Sequence, residues 1–165
     1  YRRQRQMCIR DSYEWSKPYM KNNQVFVVRG DSDINSEADL AGKNVEVQTD
    51  SSAEAALNDN SELTSTFGSL TPVADYNTAF MDLESGAVDA IAMDDVVASY
   101  QITSRKADFK VLDDVIAAEE YGIGFKKGNT GLRDKVQATL EEMAADGTAA
   151  KISEKWFGKD ITTIQ

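Results

Sequence analysis

Short runs rich in β-branched and aromatic residues alternate with helical patterns, and this alternation limits the fold more than any other feature of the chain. The predicted strands cover 24–28, 44–48, 72–75, 88–93, 109–112 and 121–125. The predicted helices or helical turns cover 36–42, 53–57, 77–86 and 96–104. Alternation of this kind is typical of an α/β fold with a doubly wound, mostly parallel sheet.

Helix-ending signals support this interpretation. Ser51 or Ser52 can cap the helix that follows it, and Asn77 is predicted to cap the next one, which Gly86 ends. In the C-terminal tail, Leu132, Val136, Leu140 and Met143 recur at helical spacing before Gly147, and Ile152 and Trp156 lie one turn apart before Gly158. We therefore predict two helices in the tail.

The composition excludes several functions. The chain has no histidine, which removes Ser-His-Asp and Cys-His catalysis and the usual zinc sites. Its net charge of -10 argues against nucleic acid and anionic membranes as partners. Cys8 is the single cysteine, so no internal disulfide forms, and no apolar run is long enough to span a bilayer. We predict no enzyme activity and no catalytic, metal or cofactor site.

The first twelve residues differ from the rest of the chain. They contain four arginines and one acidic residue, and no apolar stretch of a signal peptide follows them. The string from Met7 to Ser12 resembles translated sequencing-adapter sequence. We predict that 1–12 is artefactual or disordered; a genuine basic arm is the alternative.

Two loops at the carboxyl ends of predicted strands carry candidate binding residues. The loop after strand 44–48 places Ser51 and Ser52 at a helix N-terminus, where hydroxyl and N–H groups suit a carboxylate. Asp94 ends strand 88–93 and suits an ammonium group. Parallel sheets bind ligands at this edge, so the two loops form a complementary pair for the two poles of an amino acid.

Simpler interpretations exist for each loop. Ser51 and Ser52 can act only as helix caps, and Asp94 or Asp95 can cap the helix over 96–104. A third interpretation makes the adjacent aspartates a catalytic acid–base pair, although neighbouring side chains usually diverge and no other polar motif supports it.

The chain resembles the amino-acid-binding bacterial extracellular solute-binding proteins of family 3, which are periplasmic binding proteins of type II serving ABC importers. The matching segments, in the order of that family, are Trp15-Ser-Lys-Pro-Tyr19, Asp39-Leu-Ala-Gly-Lys43 with Val45-Glu-Val-Gln48, Ser51-Ser-Ala53, Leu83-Glu-Ser-Gly-Ala-Val-Asp-Ala90, Met93-Asp94, Tyr121-Gly-Ile-Gly-Phe-Lys-Lys-Gly128, and Asp146-Gly-Thr148 through Lys155-Trp-Phe-Gly158. They span nearly the whole chain.

The resemblance implies two lobes joined by two crossing strands. It assigns 13–23 to the end of lobe one and the first crossing strand, 24–120 to a complete lobe two, 121–125 to the second crossing strand, and 126–165 to helices that pack on lobe one. Most of lobe one is then expected to be missing at the N-terminus, together with an export signal and a carboxylate-binding arginine. Arg10 is near that arginine's place but is one position off, and we do not assign it.

The resemblance also implies the ligand contacts. Asp94 would bind the ammonium group, Ser51 and Ser52 the carboxylate, and Gln48 the ligand side chain. The family commonly has glycine where this chain has Asp50, and a negative side chain beside an anion site would weaken binding by about 0.3–1 kcal/mol.

The implied function is binding of a polar amino acid in the cleft between the lobes and delivery to an ABC permease. The protein would act outside the cytoplasm as a monomer, either free in the periplasm or held by a lipid anchor. The same fold used as a dehydratase-like enzyme or as a ligand-sensing module is the alternative.

Overall fold

The computed structural model describes residues 11–105 and 107–164. Residues 1–10 lie outside the described part. The predictions for Cys8 and Arg10, and most of the prediction for 1–12, fall on these residues. The described chain divides into two compact units, one formed by 22–119 and the other by 11–21 with 120–164.

Seven strands and six α-helices make up the described chain. The strands are β1 (Tyr13–Trp15), β2 (Met20–Arg29), β3 (Asn44–Gln48), β4 (Ser69–Val73), β5 (Ala90–Asp94), β6 (Phe109–Tyr121) and β7 (Gly124–Lys126). The helices are α1 (Ser52–Asp59), α2 (Ser61–Thr64), α3 (Tyr76–Ser85), α4 (Asp95–Arg105), α5 (Thr130–Ala145) and α6 (Thr148–Phe157), and a 3-10 helix covers Glu37–Leu40.

The unit formed by 22–119 is built on a five-stranded sheet in the order β4-β3-β5-β2-β6. Strand β3 pairs in parallel with both β4 and β5, whereas β2 pairs antiparallel with β5. Gln24 pairs with Asp94 and Val28 with Ala90, so β2 and β5 run in opposite directions. The α/β prediction is confirmed, and the sheet is mixed.

Both faces of this sheet are covered. Phe26 and Val28 of β2 belong to a core with the 3-10 helix, α1 and α2, while Val27 between them belongs to a second core with α3 and α4. Successive strand residues point to opposite faces, so an uninterrupted apolar run is what a doubly covered strand requires.

The helix ends match the sequence in part. Ser51 caps α1, and Gly86 ends α3 in the left-handed conformation with φ of 78°. The prediction of Asn77 as the cap of α3 is wrong, because Asp75 Oδ1 accepts the backbone N–H groups of Asn77 and Thr78 instead. The helix therefore begins at Tyr76, and Asn77 lies within its first turn.

The second unit contains the antiparallel pair β1–β7 and the helices α5 and α6. Large apolar side chains on both helices are accessible: Leu132 is 48% exposed, Ile152 46% and Trp156 53%. The packing of these helices on a first lobe stays a prediction, as do the proposed lobe and crossing-strand boundaries. No helix within 11–105 or 107–164 has both the length and the apolar character needed to cross a bilayer.

Candidate functional site

The predicted site residues follow one edge of the five-stranded sheet. Neighbouring parallel strands β3 and β5 end at Gln48 and Asp94, and Ser51 and Ser52 follow β3 after a two-residue turn. Adjacent strands lie about 4.8 Å apart, so this pairing brings the two loops side by side.

At the N-terminus of α1, some backbone N–H groups are bound by capping side chains and others are not. Ser51 Oγ accepts the N–H of Glu54 at 3.1 Å, and Glu54 Oε2 accepts the N–H of Asp50 at 2.7 Å. Ser51 is therefore a helix cap, as its simpler interpretation holds. The N–H groups of Ser52 and Ala53 donate to no atom of the described residues. These two donors remain for an anion at the positive end of the helix.

Asp50 has the single positive φ of a non-glycine residue in the described chain, at 60°. Glycine adopts this left-handed conformation without cost, and aspartate is among the few other residues that adopt it readily. The backbone conformation thus explains why glycine suits this position. Asp50 is exposed, which reduces any effect of its charge on a nearby anion.

Gln48 is half-buried, and its Nε2 donates to the carbonyl oxygen of Ala74 at 3.2 Å. This bond holds the amide at the edge of the sheet, between the ends of β3 and β4.

Asp94 lies among polar side chains that sequence reasoning missed. Its Oδ1 accepts Asn22 Nδ2 at 2.6 Å and Gln24 Nε2 at 2.8 Å. The same two amide nitrogens also donate to Glu119 Oε2, at 3.3 Å and 3.1 Å. The order β5-β2-β6 in the sheet brings this group together, and no local sequence signal marks Asn22 or Gln24 as part of it.

The adjacent carboxylate, Asp95, has a different partner. It accepts the hydroxyl of Ser99 at 3.3 Å, one turn along α4. The two aspartates are therefore engaged by different elements, which disfavours a shared catalytic role.

Glu46 lies beneath this edge, two residues before Gln48 on β3. It is 6% exposed, and its Oε2 is buried without a hydrogen-bond partner. Burial raises the pKa of Glu46, and the charge of Asp82 on α3 and a hydrogen bond with it raise that pKa further. Glu46 therefore binds its proton more tightly than an exposed glutamate does.

The sequence matches a known family over most of its length. A model of the bacterial extracellular solute-binding proteins, family 3, matches residues 9–159. The chain belongs to this family. A match of this extent includes both loops at the sheet edge and both tail helices.

Curated relatives of this family 3 chain bind L-cystine. It is 32% identical over 152 residues to the L-cystine-binding protein TcyJ of Escherichia coli K12, covering 91% of this chain and 56% of TcyJ. It is also 32% identical over 155 residues to the L-cystine-binding protein TcyA of Bacillus subtilis 168, covering 92% of this chain and 55% of TcyA. The chain thus spans little more than half the length of these relatives.

Solved structures give the same fold. The crystal structure of a polar amino acid ABC uptake transporter substrate binding protein from Streptococcus thermophilus superposes with a TM-score of 0.77 at 30% identity, covering 94% of this chain and 61% of that protein. The predicted fold of a periplasmic binding protein of type II is therefore confirmed.

Proposed function

We propose that this chain is the amino-acid-binding part of an extracytoplasmic receptor that delivers a polar amino acid to an ABC permease. The observation that carries the proposal is the pairing of β3 with β5, which sets a carboxylate beside a helix N-terminus at one sheet edge. One pole suits an ammonium group and the other a carboxylate. An α-amino acid carries both.

Asp94 is proposed to bind the ammonium group. Asn22 and Gln24 fix its Oδ1, and no described cation forms an ion pair with it. The described partners of Asp94 are thus neutral amides, which leaves room for a cationic ligand group. Hydrogen bonds to charged groups contribute about 1.5–3 kcal/mol each.

The carboxylate is proposed to bind the N–H groups of Ser52 and Ala53 and the hydroxyl of Ser52. Ser51 supports this pole chiefly by capping the N-terminus of α1, with its hydroxyl as a further contact. Gln48 is proposed to face the ligand side chain, because its amide oxygen is not needed for its bond to Ala74.

The names of the relatives support a proposal for the partners and the location. The relatives are named as binding proteins for L-cystine and as a substrate binding protein of an ABC uptake transporter. We propose the same arrangement here: a monomeric receptor on the outer side of the cytoplasmic membrane, free or lipid-anchored, with permease subunits as partners and no covalent step.

Isothermal titration of the protein from the complete reading frame against a panel of amino acids tests the proposal. At least one polar amino acid should bind, and Asp94→Asn should weaken that binding by about 30-fold or more, because removing one side of a buried charge pair costs about 2–5 kcal/mol. Asp95→Asn is the matched control and should leave affinity unchanged. Absence of heat with every amino acid, or equal affinity of the wild type and Asp94→Asn, would contradict the proposal.

A further inference from the structure

Glu119 supplies a second carboxylate beside Asp94. Strand β2 lies between β5 and β6, so Gln24 on β2 has Asp94 on one side and Glu119 on the other. Its Nε2 donates to Asp94 Oδ1 at 2.8 Å and to Glu119 Oε2 at 3.1 Å. The amide group thus connects the two carboxylates across three strands.

Asn22 repeats this arrangement two residues earlier on the same face of β2. Its Nδ2 donates to Asp94 Oδ1 at 2.6 Å and to Glu119 Oε2 at 3.3 Å. Each amide nitrogen is therefore within 3.3 Å of both carboxylates. The two carboxylates are therefore held close together by shared hydrogen-bond donors.

This group is short of positive charge and of hydrogen-bond donors. Neither Asp94 nor Glu119 forms an ion pair with a described residue. Asn22 is 3% exposed and Gln24 is fully buried, and their carbonyl oxygens, Oδ1 and Oε1, are buried without a donor. Buried acceptors that lack a donor, beside two like charges, are unfavourable unless a further group completes them.

We propose that Glu119 is a second ligand-binding carboxylate and that the ammonium group of the ligand is held by Asp94 and Glu119 together. This inference rests on the proposed function and adds a residue to it. An ammonium group brings one positive charge and three donors, which is what the four side chains lack. A water molecule supplies two donors but no charge, so it meets only part of this need.

The proposal predicts a strong preference for an amine over a hydroxyl at the same ligand position. The test compares the best-binding amino acid of the panel with its 2-hydroxy acid analogue, using NMR titration so that weak binding is also measured. Glu119→Gln removes the charge and keeps an acceptor for Asn22 and Gln24. Glu120→Gln makes the same change at the next residue, which is exposed.

Glu119→Gln should reduce the preference for the amino acid over the hydroxy acid by about tenfold or more, the effect of losing one charged hydrogen bond. Glu120→Gln should leave the preference within about twofold of the wild type. A merely structural role of Glu119 would weaken both ligands equally, and an unchanged preference would overturn the inference.

A measurement on the wild type keeps the test decisive if Glu119→Gln does not fold. The side-chain carboxyl carbon of Glu119 should change its NMR resonance when the amino acid binds and should respond far less to the hydroxy acid. No response to the amino acid would overturn the inference while leaving the proposed function intact. Absence of wild-type binding to any amino acid would remove both.

Discussion

Replacing Glu46 with glutamine probes the buried carboxyl group beneath the site. Glu46 on β3 is 6% exposed and interacts with Asp82 on α3, and both burial and Asp82 raise its pKa. The folded protein therefore binds this proton more tightly than the unfolded chain does. Glutamine has nearly the same shape and donates a hydrogen bond to Asp82 without having to take up a proton.

The sign of the effect follows from the direction of the pKa shift. The stabilisation associated with protonated Glu46 is complete below its ordinary pKa of 4.5 and is lost as the pH rises through the raised value. Each unit of increase in the pKa corresponds to about 1.4 kcal/mol. We expect Glu46→Gln to be nearly as stable as the wild type at about pH 4, and to become progressively more stable than the wild type as the pH rises through the raised pKa of Glu46.

Thermal unfolding followed by circular dichroism across this pH range measures the difference. A gain of 1 kcal/mol raises the midpoint by about 4–8 °C for a unit of 60–100 residues. Glu62→Gln is the matched control, since Glu62 is exposed in the same unit and should show no such pH-dependent gain. A Glu46→Gln advantage that does not grow with pH would refute the reasoning.

Two further substitutions, measured by the same thermal unfolding, test how helix ends stabilise the unit formed by 22–119. Ser51→Ala should lower stability by about 1 kcal/mol, because the N–H of Glu54 loses its acceptor; unchanged stability would show that the cap is not needed. Gly86→Ala should also cost about 1 kcal/mol, because φ is 78° and the nearest atom to an added Cβ, Arg29 Nη1, lies at an ordinary 3.5 Å. A stabilised Gly86→Ala variant would contradict the conformational argument.

Local signals allowed much of the fold to be predicted. The prediction for 44–48 coincides with β3, and Gly158 ends α6 as expected, because apolar patterning and left-handed glycines act over a few residues. The failures involve longer-range effects. The sequence predicts separate strands over 109–112 and 121–125, whereas β6 runs without a break over Phe109–Tyr121, because pairing with β2 keeps its polar middle extended.

The residues of the candidate site likewise fall into those that local sequence signals reveal and those that only strand pairing reveals. Asp94 and Ser51 could be singled out because each lies between an apolar strand pattern and the start of a helix. Asn22, Gln24 and Glu119 could not, because their proximity depends on the order of β5, β2 and β6 in the sheet. In the sequence, Glu119 is one of 28 acidic residues, and no motif around it points to a binding role.

The division of the chain into units has a consequence for how it folds during synthesis. The unit formed by 22–119 is continuous in sequence, so all of its strands are available once Glu119 has left the ribosome. The other unit is discontinuous: 11–21 must wait for 120–164, and joining them closes a long loop that costs chain entropy. This loop is the unit formed by 22–119, and once it has folded its two ends are joined at far lower entropic cost. The order of translation therefore favours folding of the unit formed by 22–119 first.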